Sequence, residues 1–318
     1  MAVYTSLDAD DIRQFLSLYA LGELVDFRGI EGGIENTNYF LTTLLDGQQQ
    51  QYVLTLFEEL SQDELPYFVE LCQWLSDRQI PVPYAIRNRH GVGLQRLKQR
   101  PAVIQPRFFG EHLSPGQLSP AHCASIGRVL AQLHLAGQEF YLQRQAHRGV
   151  FWWRRESRLI MPKLPVEDQR LLNAAVAEFD HLRDTCSDLP QGTIHGDLFH
   201  DNVLFNGTEI SAVLDLYNAA SAFLLYDLAI VANDWCVTAS GQVDPIRETA
   251  LLTAYANVRP FTSSECTAWP VLARSAAMRF WLSRLIPWLQ DHSAQKLKNP
   301  DEMKRILIDR RDHPTRLP

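Results

Sequence analysis

Four residues in the middle of the chain have the types and spacing of a reaction centre: His195, Asp197, Asn202 and Asp215. The first three lie in T-I-H-G-D-L-F-H-D-N, residues 193–202. Gly196 permits a tight turn between His195 and Asp197. A short apolar run follows over 203–205, Asn206-Gly207 signals a hairpin, and 210–216 reads as a second apolar strand. That second run holds one acid, Asp215. A carboxylate within a buried strand is costly unless it is used. The hairpin returns Asp215 to the side of Asp197 and Asn202, and oxygen ligands of this kind suit a hard cation such as Mg2+.

The elements around this centre change character along the chain. Apolar spacing predicts a helix over 6–19 with Ser6 or Asp8 as its cap, then strands over 24–30, 38–45 and 52–57. Asp46-Gly47 closes the hairpin between the last two. A helix over 63–78 ends at I-P-V-P, where proline cannot continue it. Two short strands follow near 93–97 and 102–107. Beyond them the patterns are helical, over 119–136, 166–183, 221–236, 244–257 and 263–289, and the tail from Asp291 reads as polar, part surface helix and part loose. The fold class expected is therefore α+β: a small antiparallel sheet within 1–109, then a larger, mainly helical part over 110–318. Asp227, alone among apolar residues of one predicted helix, is placed to hold the catalytic turn by hydrogen bonds. His134 reads as a packed helix-end residue.

Composition narrows the classes of function. The chain has 318 residues, 46% hydrophobic and 21% charged, with a formal net charge of -7, which disfavours nucleic acid as a partner. Five scattered cysteines with no C-x-x-C argue against a disulfide framework or a zinc site and for a reducing compartment. No run is long and apolar enough to cross a bilayer, so a cytoplasmic protein with no membrane partner is the expectation, monomer and homodimer both being open.

The spacing of His195, Asp197 and Asn202 resembles the kinase catalytic loop H-x-D-x-x-x-x-N, and Asp215 stands where its later metal-binding Asp stands. H-G-D in place of H-R-D and L-D-L-Y in place of D-F-G resemble the aminoglycoside phosphotransferase-like kinases. G-I-E-N-T-N-Y-F (33–40), Y-V-L-T-L-F-E (52–58), I-P-V-P (80–83), N-D-W-C (233–236) and R-F-W-L-S-R-L (279–285) extend the resemblance to that superfamily's type II homoserine kinases. Thr55 stands near the place of the usual phosphate-contacting lysine, and this too looks like a feature of the subgroup.

The resemblance implies a bilobal protein-kinase-like fold and ATP-dependent phosphorylation of the L-homoserine hydroxyl, in threonine biosynthesis. It makes Asp197 the proton acceptor, with His195 beside it, and Asn202 and Asp215 the holders of Mg2+. Gly32 and Gly33 form a turn that reads alone as a plain hairpin and, in this setting, as a phosphate loop. Asn36, Thr37, Asn38 and Thr55 join it as nucleotide-binding candidates. Gln105 joins them from the stretch 102–109, the expected hinge. An amino-acid acceptor needs a cation for its carboxylate and an anion for its ammonium; Arg279 or Arg284 and Asp234 are the candidates, with Trp235 beside them. The basic segment 154–158 is either a solvated face or a contact for an anionic substrate group. Open alternatives are another small alcohol as acceptor (choline, methylthioribose, an aminoglycoside) or a non-catalytic nucleotide-binding regulator.

Overall fold

The computed structural model describes residues 4–30, 36–290 and 297–318. The chain divides into two compact units, one ending at Phe109 and the other starting at Gly110.

In the first unit, α1 (Ala9–Leu16) is started by Asp8, whose carboxylate accepts the N–H groups of Asp10 and Asp11 at 3.0 and 2.9 Å. Asp11 returns the favour to the N–H of Asp8, so the reciprocal cap satisfies donors that the first turn leaves open. Then come β1 (Glu23–Gly29), β2 (Asn36–Leu45), β3 (Gln48–Phe57), α2 (Leu65–Asp77), β4 (Gln95–Leu97) and β5 (Arg100–Pro106). The strands form one antiparallel sheet in the order β1-β2-β3-β5-β4. Asp46 and Gly47 both take positive φ (50° and 76°), as a two-residue hairpin loop between twisted strands requires. Strand alternation sorts the side chains. Tyr39, Leu41, Leu54, Leu56, Ala102 and Ile104 bury one face against Ile12, Phe15 and Leu16 of α1. Phe40, Val53 and Gln105, at paired positions, lie on the other.

The second unit runs α3 (Pro120–Gln138), α4 (Val150–Ile160), α5 (Val166–Thr185), β6 (Gln191–Ile194), β7 (Val203–Asn206), β8 (Glu209–Val213), β9 (Ala220–Phe223), α6 (Leu224–Trp235), α7 (Pro245–Ala256), α8 (Ser263–Gln290) and α9 (Pro300–Asp312). Two antiparallel ribbons, β6 with β9 and β7 with β8, are set among these helices. The helix α6 is buried almost all round, from Leu224 to Trp235, which marks it as the centre of the unit's core.

Three expectations are corrected. Residues 221–223 are strand, because they pair with β6 before the helix begins. The apolar run 210–216 stops being strand at Val213, since Asp215 is left-handed (φ 58°, ψ 53°) and cannot extend a ladder. The helix expected in the tail is not merely a surface one: α9 buries Met303, Ile306 and Leu307 and packs on α8, an apolar stripe that the segment's mean polarity conceals. Among the described residues no helix is long and apolar enough to cross a membrane.

Candidate active site

The strand β6 delivers the chain to His195, and Gly196 makes the turn at φ 79°. Asp227, fully buried on α6, anchors that turn. Its Oδ2 accepts the N–H of His195 and its Oδ1 the N–H of Gly196, both at 2.8 Å. Below the turn, Nε2 of His195 lies 2.9 Å from the carbonyl oxygen of Leu214 and must therefore carry the ring proton. Its Nδ1 then accepts the N–H of Asp197 at 3.3 Å. With its ring fully buried and both nitrogens engaged, His195 positions Asp197 and its neighbour.

Asn202 is fixed in the same way. Its Nδ2 donates to the carbonyl of Asp197 at 2.8 Å, which leaves Oδ1 as the outward donor atom. Its own carbonyl accepts the N–H of Leu214 at 2.8 Å, so the residue before Asp215 is stitched to Asn202. The amide oxygen and the Asp215 carboxylate are hard donors that fit Mg2+. Among the described residues no cluster of three or more His, Cys, Asp or Glu could hold a metal. A pair of this kind fits a cation that fills its remaining positions with phosphate oxygens and water. The Asp197 carboxylate is 28% exposed, and Nη1 of Arg279 lies 3.5 Å from its Oδ1.

Behind Asp227 runs a buried chain of polar groups. Nε2 of His134 donates to Asp227 at 3.1 Å, and its Nδ1 accepts from the Tyr255 hydroxyl at 2.7 Å. Arg259 donates to the Tyr255 oxygen at 3.3 Å and to Glu265 at 2.9 Å. Burial pushes the His134 imidazole below its ordinary pKa, more than the Asp227 charge raises it, and so keeps it neutral. Burial also works against the Asp227 carboxylate, but the hydrogen bonds it accepts, from His134 and from the N–H of Gly196, outweigh it and hold the pKa low.

The four expected substrate contacts separate. Asp234 is spent on His200, accepting both its N–H and its Nδ1–H at 2.7 Å. The His200 pKa is raised: burial alone would lower it, but Asp234 prevails. Trp235 is fully buried, with its indole N–H donating to the carbonyl of Leu198 at 3.1 Å. Both residues brace the catalytic loop, because the end of a helix buried all round meets protein. Arg284 pairs with Glu302 at 2.8 Å at the start of α9. Arg279 alone lines a cavity of about 700 Å3 in this unit, together with Gly196, Asn218 and Tyr226. Its wall also carries His147, Arg148, Arg155 and Arg183, and among the described residues no Asp or Glu lines it. Of the basic segment 154–158, Arg155 reaches this cavity and Arg154 is paired with Asp180 at 2.5 Å. Tyr226, Arg148 and Arg183 are the residues that sequence reasoning missed. An arginine without a motif carries no local signal.

In the first unit, Asn36, Asn38, Thr55 and Gln105 share the sheet face opposite α1. Thr55 donates its hydroxyl to Oδ1 of Asn38 at 2.7 Å. Arg107 stacks on Phe40 of this face at 3.9 Å, with Arg28 at 5.3 Å from the same ring. Thr37 points the other way: it is fully buried, accepts the N–H groups of Tyr4 and Thr5 and donates to Glu58 at 2.6 Å. It is therefore removed from the nucleotide-facing set by strand alternation. Gly32 and Gly33 lie outside the described residues.

Comparison with known proteins gives this arrangement a family. The model of the phosphotransferase enzyme family matches residues 26–261. The homoserine kinase of Pseudomonas aeruginosa (strain UCBPP-PA14) is 44% identical over 286 residues, covering 90% of this chain and 89% of that protein. Among solved structures, a putative aminoglycoside phosphotransferase from Ralstonia eutropha JMP134 superposes with a TM-score of 0.69 at 17% identity, over 96% of both chains. An amicoumacin kinase solved with AMP-PNP and Ca2+ gives 0.67 at 14%, over 96% of this chain and 93% of that one. At those identities the two structures speak for the fold, and the sequence relatives for the branch. The chain belongs to the phosphotransferase enzyme family and, within it, to the homoserine kinases.

Proposed function

We propose that this protein transfers the γ-phosphoryl group of ATP to the side-chain hydroxyl of L-homoserine, giving O-phospho-L-homoserine for threonine biosynthesis. The observation that carries the acceptor is the charge of the cavity beside Gly196: four arginines and a histidine line it, with no acid among its described residues. A carboxylate-bearing alcohol gains from that wall, whereas choline or a polycationic aminoglycoside meets like charge. Methylthioribose, being uncharged, gains nothing from it. An aromatic box for choline also loses Trp153, whose indole donates to the carbonyl of Arg148 at 2.6 Å and whose ring packs on Phe179 and Tyr226. ATP and a free amino acid as substrates fit a cytoplasmic setting.

In this reading Asp197 orients the acceptor hydroxyl and takes its proton as the oxygen bonds to phosphorus. Asn202 and Asp215 would hold Mg2+, which would supply positive charge against the charge developing on the transferred phosphoryl group. The turn 195–197 and Asn202 are pinned from beneath by His195, Asp227 and the Asp197 carbonyl, so their geometry is set before substrate arrives. The sheet face with Asn36, Asn38, Thr55 and Gln105 supplies polar contacts to the nucleotide in place of the missing lysine. A non-catalytic regulator would not need the pinned Asp197 beside two metal-type donors.

The test is ATP consumption against L-homoserine, L-serine, choline, methylthioribose and kanamycin. The reading predicts a kcat/KM for L-homoserine at least roughly a hundredfold above every other acceptor. Turnover of choline or kanamycin at a comparable kcat/KM contradicts it.

A further inference from the structure

Arg279 stands at two places at once. It is 4% exposed, its guanidinium stacks on Phe280 at 3.8 Å, and it lines the basic cavity. Yet its Nη1 makes a long contact, 3.5 Å, with Oδ1 of Asp197, the carboxylate that has to accept the acceptor's proton. A guanidinium has five N–H groups, and this contact occupies one of them weakly. Tyr226 is the second observation. It lines the same cavity, is 9% exposed, and its hydroxyl is buried with no hydrogen-bond partner among the described residues. Burial pushes its pKa far up, so the group stays an O–H donor; the charges of Arg279 and Asp197 both act on it. A buried hydroxyl left unpaired in an otherwise satisfied site marks the place of a missing acceptor atom.

Resting on the reading of this chain as an amino-acid kinase, we propose that Arg279 and Tyr226 form the receptor for the acceptor's carboxylate, and that filling it draws Arg279 off Asp197. The two donors match the two oxygens of one carboxylate. The competition for Arg279 then makes recognition and chemistry one event: until a carboxylate arrives, Arg279 donates to the oxygen that the substrate hydroxyl must reach. Tyr226 is on this account a specificity-determining residue, and acceptors lacking the carboxylate are penalised in kcat as well as KM.

The experiment compares L-homoserine with 3-amino-1-propanol, which keeps the hydroxyl and the amine and lacks the carboxylate, in wild type and Tyr226→Phe. Wild type should use the amino alcohol with kcat at least roughly tenfold lower. Tyr226→Phe should lose roughly tenfold in kcat/KM for L-homoserine and nothing for the amino alcohol, since it deletes one donor to a charged group. Equal losses on both substrates, or equal kcat for both in wild type, would overturn the proposal. Arg279→Lys keeps the charge and loses the fork, and should narrow the same ratio; an unchanged ratio there also counts against it. If wild type phosphorylates neither compound, the kinase reading itself has failed, an outcome distinct from loss of this receptor.

Discussion

Asp227 holds His195 by its backbone N–H at 2.8 Å, from a helix whose other residues are almost all apolar, and spends its second oxygen on Gly196. Two N–H groups need two acceptor atoms, and an ionised carboxylate supplies them. Asp227→Asn replaces one acceptor by an NH2 donor facing an N–H. One buried N–H is then left without its acceptor, so the expected loss is about 1 to 3 kcal/mol of folding stability, and kcat should fall with it. Urea unfolding checks this; a variant within about 0.5 kcal/mol of wild type would show that the turn does not depend on Asp227.

The same buried chain gives a pH dependence with a definite sign. The His134 pKa is lowered in the fold relative to an ordinary value of 6.5. Below that value the unfolded state binds the proton more readily, so the stability contributed by neutral His134 is present above pH 6.5 and is lost as pH falls. The slope from this one group cannot exceed about 1.4 kcal/mol per pH unit. His134→Gln removes the titration. The gap in unfolding free energy between wild type and His134→Gln should therefore narrow from pH 7 to pH 5. A gap that widens would mean that the imidazole is charged in the fold.

Asp215 sits at φ 58°, a conformation that asparagine tolerates nearly as well as aspartate. Asp215→Asn should therefore keep the fold while removing the charged metal donor. We expect kcat to fall roughly a hundredfold or more, with melting temperature unchanged. Asp215→Ala adds about 1 to 2 kcal/mol of backbone strain to the same catalytic loss. Undiminished Mg2+-dependent turnover in Asp215→Asn would end the assignment.

What stands out in the sequence and what does not differ for a physical reason. Asp197, Asn202 and Asp215 were legible because their spacing is local, within one loop and one hairpin. Asp227 was legible because an acid among apolar helix residues needs a reason. Thr37 was misassigned for want of phase: strand alternation decides which of Asn36, Thr37 and Asn38 faces away from α1, and a motif read as a block does not carry that parity. Asp234 and Trp235 sit next to the right segment, but the end of α6 is buried, so they serve the loop. Tyr226 and Arg148 come from segments far apart in sequence that meet only in the folded unit, and nothing local announces such a meeting.

The most direct test of the account is phosphoryl transfer to L-homoserine by Asp197→Asn. The change keeps the side chain's volume and its reach, and removes only the capacity to accept the hydroxyl proton. The account predicts a fall in kcat of roughly two to four orders of magnitude, with KM for L-homoserine and for ATP little changed, because uniform binding is untouched. A near-normal kcat for Asp197→Asn would contradict it.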